Sequence, residues 1–323
     1  MTAFFPCLSE NVCVAENVTE RPQTEAWKSR ACVWGAIFVA SRLPEIICRE
    51  LGFNADVWVS PFWETVVLLG LAILAAKVCP TNQNLPGFIV ATIALTFSWR
   101  VVVPWIESSP FFVSFVNHAS WGARFFLLRA IRVVGVIFLI GTLMGSGIGR
   151  RELFLQFGNW RSPVQAEPFF PLPVMMPWGR FAVRLLLIFA ILLPVYLYLT
   201  VDIHIERIYR VLFILPWALA TSALNAASEE FQFRSVPLAR LADVVPMREA
   251  YLAVAVLFGV SHYFGQPSGW GGVFMAGFAG WIWSKSMIET QGFGWAFATH
   301  FVQDLVIFCV LAFSNTDLSA LWS

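Results

Sequence analysis

Charge is scarce in this chain. Of 323 residues, 13% are charged, against 58% hydrophobic and 16% aromatic, and the mean hydropathy is +0.71. A soluble domain averages about 25% charged residues, so a water-soluble globule could not bury this much apolar surface. Disorder and a coiled coil are excluded on the same ground. A net charge of only +1 excludes a nucleic-acid binder. The six cysteines (Cys7, Cys13, Cys32, Cys48, Cys79, Cys309) form no CxxC pair, which removes a disulfide scaffold and a structural zinc site. Cys7 and Cys13 can pair in an oxidising compartment, although unpaired thiols are the expected state. A signal peptide is also lacking: residues 1–26 have no basic start and no continuous apolar stretch, and they hold Glu10, Glu16, Glu20 and Glu25.

What is present is long apolar runs. A transmembrane helix needs about 20 mostly apolar residues. Candidates lie near 31–48, 57–79, 86–106, 125–147, 181–203, 208–235, 248–264, 271–288 and 293–313. Arg42, Pro44 and Glu45 interrupt the first, which can instead lie at the interface. The expected fold is all-α, a polytopic transmembrane bundle of eight or nine spans with an active site between the last four helices. No internal repeat is evident. The proline-rich connection near 148–180 divides the chain, giving a polar tail (1–26), an accessory multi-span module (27–180) and a functional core (181–323).

Ionisable side chains within spans are costly and usually functional. Here they concentrate in Glu229, Glu230, Arg234, His262, His300 and Asp304, and two of the chain's four histidines are among them. Adjacent helical residues diverge by about 100°, so Glu229 and Glu230 are not expected to point at one spot. Glu230 and Arg234 stand at i,i+4 with the acid first, the favourable order for an ion pair. Glu229 is left without a local partner. It is either a solvated helix end or a carboxylate in a low-dielectric site, where it can serve as a general base. Phe258 and His262 share a helix face, as do His300 and Asp304; the latter pair can satisfy itself or ligate a metal with His262 and Glu229.

Glu229-Glu230-x-x-x-Arg234, Phe258-x-x-x-His262 and His300-x-x-x-Asp304, in this order, resemble the CPBP family of CAAX proteases and bacteriocin-processing enzymes, which are glutamic intramembrane endopeptidases. The family pattern has Asn or Asp at the last position. The resemblance covers residues 208–313 and includes small residues on the intervening helix, here Gly271, Gly272, Gly277 and Gly280, which let membrane helices approach closely. It implies that Glu229 and His262 activate a water, and that His300 and residue 304 stabilise the oxyanion. Glu230, Arg234, Phe258 and Asn225 are the expected site-shaping or substrate-binding residues, with Arg234 either holding the site's shape or contacting a substrate carboxylate. An ionised Asp304 cannot donate a hydrogen bond, so it is expected to orient His300 rather than to touch the oxyanion.

The implied partners are a lipid bilayer and a membrane-anchored or lipidated protein cut near its C-terminus, with no nucleic acid. The implied location is integral and multi-pass, with a bacterial inner membrane expected. No cofactor is implied. A zinc peptidase using the same residues is one alternative, weakened by the absence of H-E-x-x-H; a transporter or non-catalytic scaffold is the other. Helix lengths raise one geometric problem. Counted from Pro237 and Pro246, Glu229 lies about 10 Å and His262 about 24 Å along their helices. They meet only if residues 238–249 run along the membrane surface, or if the His262 helix starts later or tilts; a surface segment is expected.

Overall fold

The computed structural model describes residues 23–311 apart from 56–58, 146, 169, 201–202, 205, 207, 242 and 266–267. Cys7 and Cys13, and nearly all of the polar tail, lie outside the described residues. The described chain is helical, in the order α1 Gln23–Ala40, α2 Leu43–Glu50, α3 Pro61–Val78, α4 Asn84–Glu107, α5 Pro110–Asn117, α6 Trp121–Gly145, α7 Trp178–Thr200, α8 Arg210–Leu241, α9 Met247–Ser261, α10 Gly269–Thr290 and α11 Gly294–Leu311. Serine caps followed by proline start two of them: Ser60 accepts from the Trp63 amide before α3, and Ser109 from the Phe112 amide before α5. Proline at the first helical position lacks only an amide that would have no partner there.

Six helices (α3, α4, α6, α7, α8, α11) are long and apolar enough to cross a membrane, and a seventh span results if α1 and α2 count as one. These two meet at a 62° bend at Ser41 and Arg42, where the sequence interrupts its first apolar run. The expected eight or nine spans agree roughly with this count. The difference lies in α9, which is short, and α10, whose many Gly, Trp and Ser residues lower its hydropathy. The chain is an integral multi-pass membrane protein. Outward-facing side chains fit that solvent: Leu199 is 75% and Phe213 77% exposed, as lipid-facing residues would be. Helices α4, α8 and α11 are more buried than α3 and α7 and lie deeper in the bundle.

The largest buried cluster draws on both halves of the chain, joining Val33, Phe88 and Leu139 to Phe233, Phe258 and Trp283. The connection near 148–180 is strapped to the core by ion pairs and backbone bonds. Glu167 meets Lys285 at 2.6 Å and accepts from the Tyr251 hydroxyl at 2.6 Å, while the Asn159 amide donates to the Thr290 carbonyl. Lys285 is therefore a buried residue of α10, paired with Glu167 and Glu289.

No surface segment separates α8 from α9, contrary to expectation. Helix α8 passes through Pro237 to Leu241, and Val236, Pro237, Leu238 and Leu241 are buried. A π turn over Phe231–Ser235 makes this possible, with the Val236 amide reaching back to the Phe231 carbonyl. The wider turn restarts the helix at Val236, so Pro237 occupies an early position, where its missing amide costs least. Counted from Leu241, Glu229 lies about 18 Å from its helix end, and His262 lies about 22 Å along α9. The depths agree without a surface helix.

Helices α9 and α10 cross closely where Gly259 faces Gly277. A Cβ at Gly259 would stand 2.6 Å from the Val273 carbonyl oxygen and 2.9 Å from the Gly277 Cα. Gly280 lies against Phe258, whereas Gly271 faces open space. Gly259→Ala is therefore expected to destabilise the protein by about 1–3 kcal/mol, because backbone cannot yield as a side chain can. Gly271→Ala should stay within about 0.5 kcal/mol of wild type. Thermal unfolding of both variants in one detergent checks the contrast.

Candidate active site

The centre of the site is a carboxylate with two partners. Glu230, fully buried, accepts from Arg234 Nη1 at 2.8 Å and meets His300 Nδ1 at 2.7 Å, both through Oε1. Arg234 is also fully buried, with its guanidinium 3.9 Å over the Phe258 ring and 4.7 Å over Trp283. It does not line the cavity described next. Of the two roles expected for Arg234, holding the site's shape fits this placement, and contact with a substrate carboxylate does not.

His300 is held on every side. Trp283 stacks on it at 4.3 Å with an interplanar angle of 13°. Its Nε2 lies 3.7 Å from Glu229 Oε2 and 3.5 Å from Asp304 Oδ1. The two glutamates therefore do converge, contrary to expectation, but on opposite nitrogens of a single ring. An imidazole is wide enough to receive side chains that leave a helix about 100° apart. The closest orienting contact of His300 is with Glu230, not with Asp304 as the local i,i+4 pairing suggested. Asp304 is fixed from another direction, accepting from Asn225 Nδ2 at 2.9 Å.

His262 caps the C-terminal end of α9, and its ring sits 4.4 Å from that of Phe258. Its Nδ1 lies 2.9 Å from the Phe258 carbonyl oxygen. A carbonyl only accepts, so Nδ1 carries the hydrogen and Nε2 of the neutral ring is left to accept from another group.

Asn225, Glu229, Phe258, His262, His300 and Asp304 all line one cavity of about 700 Å³. Its other walls include residues of α4, α6 and α7, so the first half of the chain contributes to it. The cavity is flanked by a second π turn, Ser98–Val102 in α4, whose Trp99 packs edge-on against Phe233 of the first at 5.4 Å. Such turns often accompany functional sites. Sequence reasoning missed Trp283, whose position in a Trp-rich helix carries no distinguishing signal. It also missed that ions inside helices extend beyond the last hundred residues. Glu64 of α3 pairs with Arg100 of α4, and Arg129 and Arg132, at i,i+3 in the largely apolar helix α6, both line the cavity. That spacing was a readable signal.

Residues 211–306 match a family model described as Rce1-like, type II CAAX prenyl endopeptidase Rce1-like. No curated protein and no solved structure matches the chain. The matched stretch runs from α8 into α11 and holds Asn225, Glu229, Glu230, Arg234, Phe258, His262, His300 and Asp304. The match is consistent with the CPBP resemblance and supports a CAAX-type intramembrane endopeptidase.

Removing one member of a buried ion pair strands the other and costs about 3–5 kcal/mol. Glu230→Leu and Arg234→Met are each expected to lose about that much. The double variant Glu230→Leu, Arg234→Met should lose clearly less than the two singles together. Thermal unfolding in detergent measures the coupling; single variants within about 1 kcal/mol of wild type would contradict the arrangement.

Proposed function

We propose that the protein hydrolyses a peptide bond near the C-terminus of a membrane-associated, prenylated or otherwise lipidated protein, using a water activated by Glu229 and His262. The observation that carries this reading is the single cavity, between membrane-spanning helices, onto which Glu229, His262, His300 and Asp304 all open. In the reaction, the Glu229 carboxylate takes a proton from the water as its oxygen bonds to the scissile carbonyl carbon, with His262 Nε2 holding the water's other hydrogen. Negative charge collects on the former carbonyl oxygen, where an N–H at His300 Nε2 donates to it. Collapse breaks the C–N bond, and Glu229 returns its proton to the leaving amine.

The supporting chain of contacts is short. Glu230 and Trp283 fix the plane of the His300 ring, and Asn225 fixes Asp304 beside Nε2. Asp304 acts here through its charge and position. The largely apolar walls limit the bulk water that competes with these interactions. A largely apolar cavity also suits a lipidated or apolar tail. The zinc reading draws less support from the geometry, because among the described residues no three His, Cys, Asp or Glu side chains are grouped to hold a metal ion.

Purified protein in lipid nanodiscs, supplied with a farnesylated peptide carrying a CAAX terminus, tests the reading by mass spectrometry of the products. Glu229→Gln and His262→Ala should each lower kcat by about 10²–10⁴, and a chelator should leave the wild-type rate unchanged. Cleavage that survives Glu229→Gln, or that stops on chelation and returns with zinc, would sink the glutamic mechanism. Asp304→Asn is expected to lower kcat. Equal or higher activity would instead assign residue 304 a direct bond to the oxyanion.

A further inference from the structure

A peptidase that works near a C-terminus must recognise that end, and a free carboxylate is its one invariant chemical mark. Arg234 is unavailable for this, being fully buried and engaged by Glu230. The other arginines on the cavity wall are Arg42, Arg100, Arg129 and Arg132. Two are committed to local carboxylates: Arg42 pairs with Glu45 at 2.9 Å, and Arg100 pairs with Glu64. Arg129 is 3% exposed and makes interactions of its own.

Arg132 differs from these. Its guanidinium lies over the Trp99 ring, 4.8 Å from the centroid. Among the described residues no carboxylate stands within ion-pair distance of it. Stacking on an indole occupies the flat face of a guanidinium and leaves its N–H edge for a planar acceptor. Arg132 is half-buried on the cavity wall, and a partly desolvated cation without a paired anion gains from a ligand that supplies one.

We propose that Arg132, backed by Trp99, binds the C-terminal carboxylate of the substrate. This rests on reading the cavity as a site for protein C-termini. Arg132 lies on α6, outside the stretch that matches the family model, so the first half of the chain supplies a specificity-determining residue to chemistry carried by the second. Arg132 on α6 and Glu229 on α8 line the same cavity, so a tail held by its end at α6 lies in the space onto which the general base opens. The fork of N–H donors prefers a carboxylate to a carboxamide, because charge-assisted bonds are about twice as strong as neutral ones.

The test uses the full chain in nanodiscs with two farnesylated peptides that differ only in ending as a free acid or a carboxamide. Binding is measured by displacement of a fluorescent acid peptide, and cleavage is measured in parallel. The wild type should bind the acid about tenfold or more tightly than the amide. In Arg132→Gln that ratio should fall below about twofold, and Arg132→Lys should keep part of it. Equal binding of acid and amide by the wild type, no binding of either, or an Arg132→Gln variant that weakens both equally would overturn the proposal. The acid-to-amide comparison on wild type stands even if a variant fails to fold. Acid-selective binding without cleavage would count against the endopeptidase reading and leave the carboxylate site in place.

Discussion

The arrangement depends on one buried carboxylate oxygen. Glu230 Oε1 is shared between Arg234 of its own helix and His300 of α11, at 2.8 and 2.7 Å. In a low-dielectric interior an unpaired ion is costly, so each member of this triad requires the other two. The demand locks α8 to α11, and through Phe258 and Trp283, whose rings both contact the guanidinium, it also locks α9 and α10. Four helices are thus registered by electrostatics rather than by apolar packing, which between membrane helices has little directional preference. Glu229, one residue earlier, is left facing the cavity because Glu230 has taken the structural position.

Backbone devices bring these side chains to one depth. The π turn at Phe231–Ser235 lets α8 continue through Pro237, and it packs through Phe233 against the matching turn in α4. Without that continuation Glu229 would sit near a helix end and His262 deep along its own helix. Gly259 then allows α9 to approach α10 closely enough for Phe258 to reach both Arg234 and the wall of the cavity. The same crowding explains why a glycine stands within the Phe258–His262 motif.

Much of this was legible in the residue order, for definable reasons. Scarce charge identified a membrane protein, and the remaining ions then stood out against the apolar background. The Glu230–Arg234 pair follows from helical spacing alone. Other contacts were not legible. Local spacing assigned His300 to Asp304, four residues away, whereas its shortest bond goes to Glu230 on another helix. Proline was read as a stop at 237, since a π turn leaves no mark in composition. Lys285, within the apolar run 271–288, carried no sign of its partner Glu167, which is far away in sequence.

The sequence by itself determined the solvent, the all-helical class and the six ionisable residues around which the site is built, because each of these follows from composition and from spacing within a single helix. It could not determine how those helices rotate against one another. Only the tertiary structure decided that Glu230 faces inward while Glu229 opens to the cavity, that Trp283 carries His300, and that Arg132 of the first half stands on the wall of the second half's site. Those outcomes depend on contacts between segments far apart in the chain. The free energy of burying a charge can be met there by any well-placed partner, whichever part of the sequence supplies it.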